Sequence, residues 1–279
     1  MATDTELVSF TLDDFEARTG SAVSMIRTIA GLYLRHESTP VARSKVLALA
    51  AAAGVSTAAA QTAVSRLVDR GVLDQSENSC LHVTVQAQAM FARGNQRIFT
   101  PRQMQAEDWW CLVAYSLPET MRPLRHQVRK HFLQLGGGLV AAGLWIFPAY
   151  LRAEVLQVLS ALQVRSYATV FTTQTPDFPS TPSQAARLWW DLDRLETLHT
   201  TFLNSTESLT NEPASFSEAY RGYVLMIDAW RALPYLDPGL PASMLPSTWP
   251  GILSRERFLQ LSGSYEAKAQ HFAQDVLAG

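Results

Sequence analysis

Apolar positions first fall into a helical rhythm at Ser21, where Ala22, Met25, Ile26, Ile29, Leu32 and Tyr33 recur three and four residues apart. Ser21 stands where an N-cap is needed, and His36, Glu37, Ser38, Thr39 and Pro40 break the pattern. A second helix is predicted over residues 42–53, burying Val46, Leu47, Leu49 and Ala50, with Gly54 placed to end it. A third spans 57–70, with Ser56 as its N-cap and Gly71 just past its end. Val72 and Leu73 are then apolar, Ser76, Glu77, Asn78 and Ser79 are turn-like, and residues 81–85 alternate. Three helices followed by a small hairpin predict a winged helix-turn-helix over residues 21–100, preceded by an N-terminal arm, 1–20.

From residue 101 the rhythm changes. Strands are predicted at 109–115 and 166–172, helices at 120–135 and 150–162, and a strand or hairpin at 139–147. That order suits a ferredoxin-like α+β domain over residues 101–175. A proline-rich stretch, 175–182, reads as a linker to a mostly helical C-terminal domain, 176–279, with helices at 184–204, 215–232 and 253–277. The fold class is therefore α+β.

The third helix carries the most chemistry. At 100° per residue, Ala60, Ala63, Val64, Leu67 and Val68 share one face. Ala58, Gln61, Thr62, Ser65 and Asp69 lie opposite, with Arg66 and Ala59 on the flank. An aliphatic buried face and a short, polar free face suit a helix that lies close in a major groove about 12 Å wide. Gln61 is the right shape to bond an adenine edge, and Arg66 reaches guanine or phosphate. The methyl of Ala58 can meet a thymine methyl. Ser56 and Thr57, at the helix N-terminus, are placed for phosphate oxygens, and Arg43 and Lys45 for the opposite backbone wall. The same amphipathic pattern also occurs in helices that simply pack in a bundle.

The formal charge of −2 hides an asymmetry that bears on this reading. Residues 1–20 carry −4, residues 21–100 carry +4, 101–175 carry +3 and 176–279 carry −5. Basic charge thus coincides with the expected reader. Two cysteines, Cys80 and Cys111, leave no room for a disulfide scaffold or a cysteine-based zinc site. The N-terminus lacks a signal-peptide pattern, and the longest apolar stretch, 139–151, is too short to span a bilayer and contains Pro148, so a cytoplasmic protein without membrane contact is expected. Gly136, Gly137, Gly138 and Gly143 follow a helix, where a dinucleotide fingerprint follows a strand. With no nucleophile motif, metal cluster or phosphate loop, no catalytic activity and no cofactor or metal are expected. Two other classes stay open: a winged-helix adaptor that binds protein and not DNA, and an enzyme acting on acyl-CoA or nucleic acid.

Four segments resemble the PaaX family, bacterial repressors of phenylacetic-acid catabolism. VSTAAAQTAVSRLVDRGVL, 55–73, looks like the family's recognition helix and wing start, and the run from Arg97 like the start of its linker. MRPLRHQVRKHFLQLGGGLVAAGLWIFP, 121–148, is similar to its middle domain, and LDPGLPASMLPSTWPG, 236–251, to its C-terminal signature. The resemblance implies a homodimeric repressor that binds a double-stranded DNA operator and is released by an aryl-CoA thioester such as phenylacetyl-CoA. An anionic effector of that kind would suit the stripe formed by Arg122, Arg125 and Arg129 on the helix after the first middle-domain strand, with Trp145 lining its acyl pocket, although tryptophans in such positions are more often core. Gln61 stands where the family usually has arginine, and the wing lacks its usual basic residues, which implies a different operator.

Overall fold

The computed structural model describes residues 18–76, 78–174, 176–177 and 181–279. Most of the expected N-terminal arm, and Glu77 in the wing turn, lie outside the described residues. Chain contacts divide the molecule into two compact units. One comprises Arg97–His199 with Leu233–Gly251; the other comprises residues 18–96 with Thr200–Ala232 and Ile252–Gly279. The C-terminal stretch, 176–279, therefore contributes to both.

The unit holding residues 18–96 opens with α1 (Ala22–Leu32), capped by the Ser21 hydroxyl, which accepts from Ser24 N at 3.3 Å. Strand β1 (Val41–Ala42) leads into α2 (Arg43–Ala52), then α3 (Thr57–Asp69). Strands β2 (Leu73–Gln75) and β3 (Cys80–Val83) form the expected hairpin, pairing Leu73 with Val83 and Gln75 with Leu81. Strand β1 joins its other side, Val41 opposite Leu81, so the small sheet has three strands in the order β1-β3-β2. Strand β1 has no counterpart in the sequence reading. Neither has α4 (Val85–Phe99), which begins where the wing strand was expected to end. The Thr84 hydroxyl starts it, accepting from Ala87 N at 3.2 Å while donating to Gly71 O at 2.7 Å.

Helices from the end of the chain complete this unit: α9 (Phe216–Trp230) and most of α11 (Pro250–Ala278). On α9, the Tyr220 hydroxyl donates to Leu49 O at 3.0 Å, and its ring lies 5.5 Å from Tyr33 and 4.9 Å from Phe272. Asp228, 1% exposed, is the polar centre. It accepts from Gly20 N at 2.7 Å, Ser24 Oγ at 2.5 Å, Thr28 Oγ1 at 3.0 Å and Arg231 Nε at 3.3 Å. Four donors on one buried carboxylate fix the angle between α1 and α9 in a way apolar packing alone does not.

In the other unit, β4 (Trp110–Tyr115), α5 (Arg122–Gln134), β5 (Gly138–Ala141), β6 (Leu144–Pro148), α6 (Arg152–Ala161) and β7 (Ala168–Thr173) follow the expected order. Their sheet is antiparallel throughout, in the order β5-β6-β4-β7. Both faces of its central strands are covered, which explains why WCLVAY and LWIFP read as nearly unbroken apolar runs. Cys111, Val113, Trp145 and Phe147 point to a core shared with Val128, Phe132, Val155 and Leu159 of α5 and α6. Trp110, Leu112 and Ile146, alternating with them, meet Trp190, Leu240, Met244 and Trp249 on the other side. The helix expected over 184–204 is two, α7 (Pro182–Trp189) and α8 (Leu192–Thr206), interrupted where Trp190 turns in to donate to Gly136 O at 2.9 Å. A short α10 (Leu233–Leu236) precedes the DPGLP segment, which is tied down by Tyr150: burial pushes its phenol up to about 12, and the protonated hydroxyl donates to Pro238 O at 2.6 Å.

Among the described residues, no helix is long and apolar enough to cross a membrane, and no group of three or more His, Cys, Asp or Glu is arranged to hold a metal ion.

Candidate nucleic-acid interface

Helix α3 is anchored along one stripe and open along the other. Ala60, Ala63, Val64 and Leu67 are buried against α1 and α2, as the periodicity predicts. Thr57, Ala58, Gln61, Thr62, Ser65, Arg66 and Asp69 are exposed. The N-terminus is set by Ser56, whose hydroxyl accepts from Ala59 N at 3.4 Å. Serine and threonine on the open face turn inward: Thr62 Oγ1 donates to Ala58 O at 3.1 Å, and Ser65 Oγ to Gln61 O at 3.2 Å. This back-bonding keeps the surface low and leaves the Gln61 amide and the Arg66 guanidinium as its long polar groups.

The two basic residues of α2 differ. The Arg43 guanidinium reaches two other elements, donating to Gln75 Oε1 of β2 at 3.0 Å and, on α3, to Gln61 O at 3.2 Å and to Ser65 Oγ at 3.4 Å. It is half-buried at the same surface as α3 and braces that helix against the β2–β3 hairpin. Lys45 is half-buried and donates to Leu277 O at 2.5 Å, at the C-terminal end of α11, where carbonyls lack helical partners. The structure thus brings Arg43, Ser56, Thr57, Ala58, Gln61, Thr62, Ser65 and Arg66 onto one surface, and engages Lys45 with the end of α11. Sequence reasoning missed Arg18 and Arg70, which line a cavity beside α3. Arg70 carries a signal in its four-residue spacing from Arg66; Arg18 carries none.

The residues expected at an effector site are all on or beside α5. Arg122 and Arg129 are exposed. Arg125 is held by Glu119 at 3.3 Å and donates to Leu117 O at 2.9 Å. Trp145 is 1% exposed, edge-on to Phe132 and stacked with Phe147 in the core. Arg129 lies 6.0 Å from its ring centroid, joining the arginine stripe to that core.

Three family models match in succession: PaaX-like protein over residues 21–80, PaaX protein central Cas2-like domain over 103–185, and PaaX-like protein C-terminal domain over 190–275. The chain belongs to the PaaX-like family. It is 25% identical to the transcriptional repressor PaaX of Escherichia coli K12 over 248 residues, covering 85% of this chain and 78% of that one. A solved structure of an uncharacterized protein, Rv0674 from Mycobacterium tuberculosis, shares the fold with a TM-score of 0.57 at 21% identity, covering 88% of this chain and 96% of its own.

Proposed function

We propose that this chain is a DNA-binding transcriptional regulator that acts by binding and not by catalysis. The observation that carries the reading is the open face of α3: short, polar, free of bulk and flanked by arginine, on a helix whose other face is fully anchored. On this reading α1 to α3 with the β2–β3 hairpin are a winged helix-turn-helix, with α3 lying in the major groove and the hairpin as its wing. The β4-to-β7 unit, with its βαββαβ order and its first strand beside its third and fourth, is ferredoxin-like. The relative named as a repressor supports assigning the same role here, with two copies meeting two half-sites of an operator and an aryl-CoA thioester releasing them. The exposed guanidiniums of Arg122 and Arg129 suit the phosphates of such an effector.

Selection from random duplexes with the purified full chain tests this. A defined site should be enriched, and its affinity should fall steeply as salt rises, because phosphate contacts release counterions. Phenylacetyl-CoA and related thioesters should then dissociate the selected complex. Absence of enrichment at low salt removes the DNA reading; a complex indifferent to every thioester removes the effector.

A further inference from the structure

Arg43 is the first residue of α2, and both its backbone and its side chain are engaged elsewhere. Its N–H, one of the donors a helix start leaves without an intrahelical acceptor, donates to Ser79 O in the hairpin turn at 3.1 Å. Its guanidinium fork is divided. Nη1 donates to Gln75 Oε1 on β2 at 3.0 Å, while Nη2 donates to Gln61 O at 3.2 Å and Ser65 Oγ at 3.4 Å on α3. One residue thus ties the hairpin, at Gln75 and Ser79, to the turn of α3 that carries Gln61.

The geometry of the fork decides what this tie can do. A guanidinium is planar and its N–H groups point in fixed directions, so acceptors shared by one fork are held at a set separation and angle. Ser65 Oγ also donates to Gln61 O, so hydroxyl, carbonyl and guanidinium close into a triangle on the turn. The buried stripe of α3 is aliphatic, and apolar packing is non-directional. The Arg43 bonds are directional and act at the open edge of the helix. Bidentate pairing of an amide with a base edge needs two hydrogen bonds in line at once, and each weakens steeply as its angle falls. The orientation of α3 about its own axis therefore matters to base reading as much as the identity of residue 61.

We infer that Arg43 is a positioning residue for base reading: by clasping Gln75 and the Gln61–Ser65 turn it sets the orientation in which Gln61 meets a base edge, without bonding DNA itself. The sequence alone suggested a phosphate contact for this residue. The consequence for base reading rests on the DNA-binding function proposed above; the clasp is a property of the free protein.

Arg43→Lys and Arg43→Gln in the full-length chain separate positioning from phosphate contact. Lysine keeps the charge but offers one compact ammonium in place of the fork, whereas glutamine removes the charge. Circular dichroism verifies the fold of each. Duplex selection is run with both, alone and combined with Gln61→Ala, which leaves the carbonyl at 61 in place. If Arg43 positions Gln61, both substitutions relax preference roughly tenfold at the base position that Gln61→Ala relaxes, and neither changes it further once residue 61 is alanine. A phosphate contact gives a different pattern: Arg43→Lys keeps affinity and preference, while Arg43→Gln weakens all sequences alike and lowers the salt slope by about 1. That pattern overturns the inference, as does relaxation that persists in the alanine background. Amide hydrogen exchange without DNA reads the clasp itself, and the amides of β2 and β3 should exchange roughly fivefold faster in Arg43→Lys. Unchanged exchange also overturns the inference. A wild type that binds no duplex removes the DNA reading, and the exchange result then decides the clasp on its own.

Discussion

Asp228→Ala should cost the unit containing α1 and α9 about 3–5 kcal/mol, the range for removing one partner of a buried ion pair. The carboxylate accepts from the backbone at Gly20, from two hydroxyls on α1 and from Arg231. Truncation leaves those donors in a site only 1% open to solvent, and Arg231 itself is 4% exposed. Arg231 Nη2 also donates to Ser24 Oγ at 2.7 Å, so the serine loses its acceptor while still holding the guanidinium. Urea denaturation followed by the fluorescence of Trp230 should show a midpoint well below that of wild type. A loss under about 1 kcal/mol would mean that α1 is held by apolar packing alone. A functional consequence follows: α1 packs on α3, so loosening α1 should weaken duplex binding without altering its sequence preference.

Gly239→Ala should damage the other unit by about 3 kcal/mol or more, from two additive causes. Gly239 has φ 64°, a left-handed conformation that costs a side-chain-bearing residue on the order of 1 kcal/mol. An added Cβ would also collide with the carbonyl oxygen of Arg102, a backbone atom that cannot rotate away. Relief of the clash would pull apart the bond from Met104 N to Gly239 O, 2.8 Å, and that from Gly239 N to Asp237 Oδ1, 2.8 Å. Gly71 separates the causes: its φ is 68°, yet nothing lies within 4 Å of a Cβ there. Gly71→Ala should cost only about 1 kcal/mol, and equal losses for both would show that conformation, not the collision, is decisive.

How much of this was legible depends on how strongly each segment patterns itself. Helix α3 declared itself through four buried aliphatics at helical spacing, a serine cap and a terminal glycine. The β4-to-β7 unit was legible because its central strands are buried on both faces and its helices are punctuated by glycine and proline. Helix α4 was not: Ala87 and Gly94 are its only residues buried among those described, too few to set up a stripe. Strand β1 is two residues long and depends on β3 for its existence. The signature at 236–251 could be recognised as a motif, but its work, closing the second face of the sheet with Leu240, Met244 and Trp249, needs the tertiary structure. The same holds for Arg43 and Lys45. As basic residues two positions apart in one helix they look equivalent, and only contacts distant in sequence send one to β2 and the other to the end of α11.

That the open face of α3 reads DNA sequence is tested most directly at Gln61, whose side chain is exposed and whose removal disturbs no core contact. Duplex selection should be run in parallel with the wild-type chain and with Gln61→Ala. Preference should relax at one base position of each half-site, with modest loss elsewhere, about 1–3 kcal/mol of discrimination being the value of one bidentate base contact. Uniform weakening at every position, with the selected sequence unchanged, would contradict the assignment of this face as the reader.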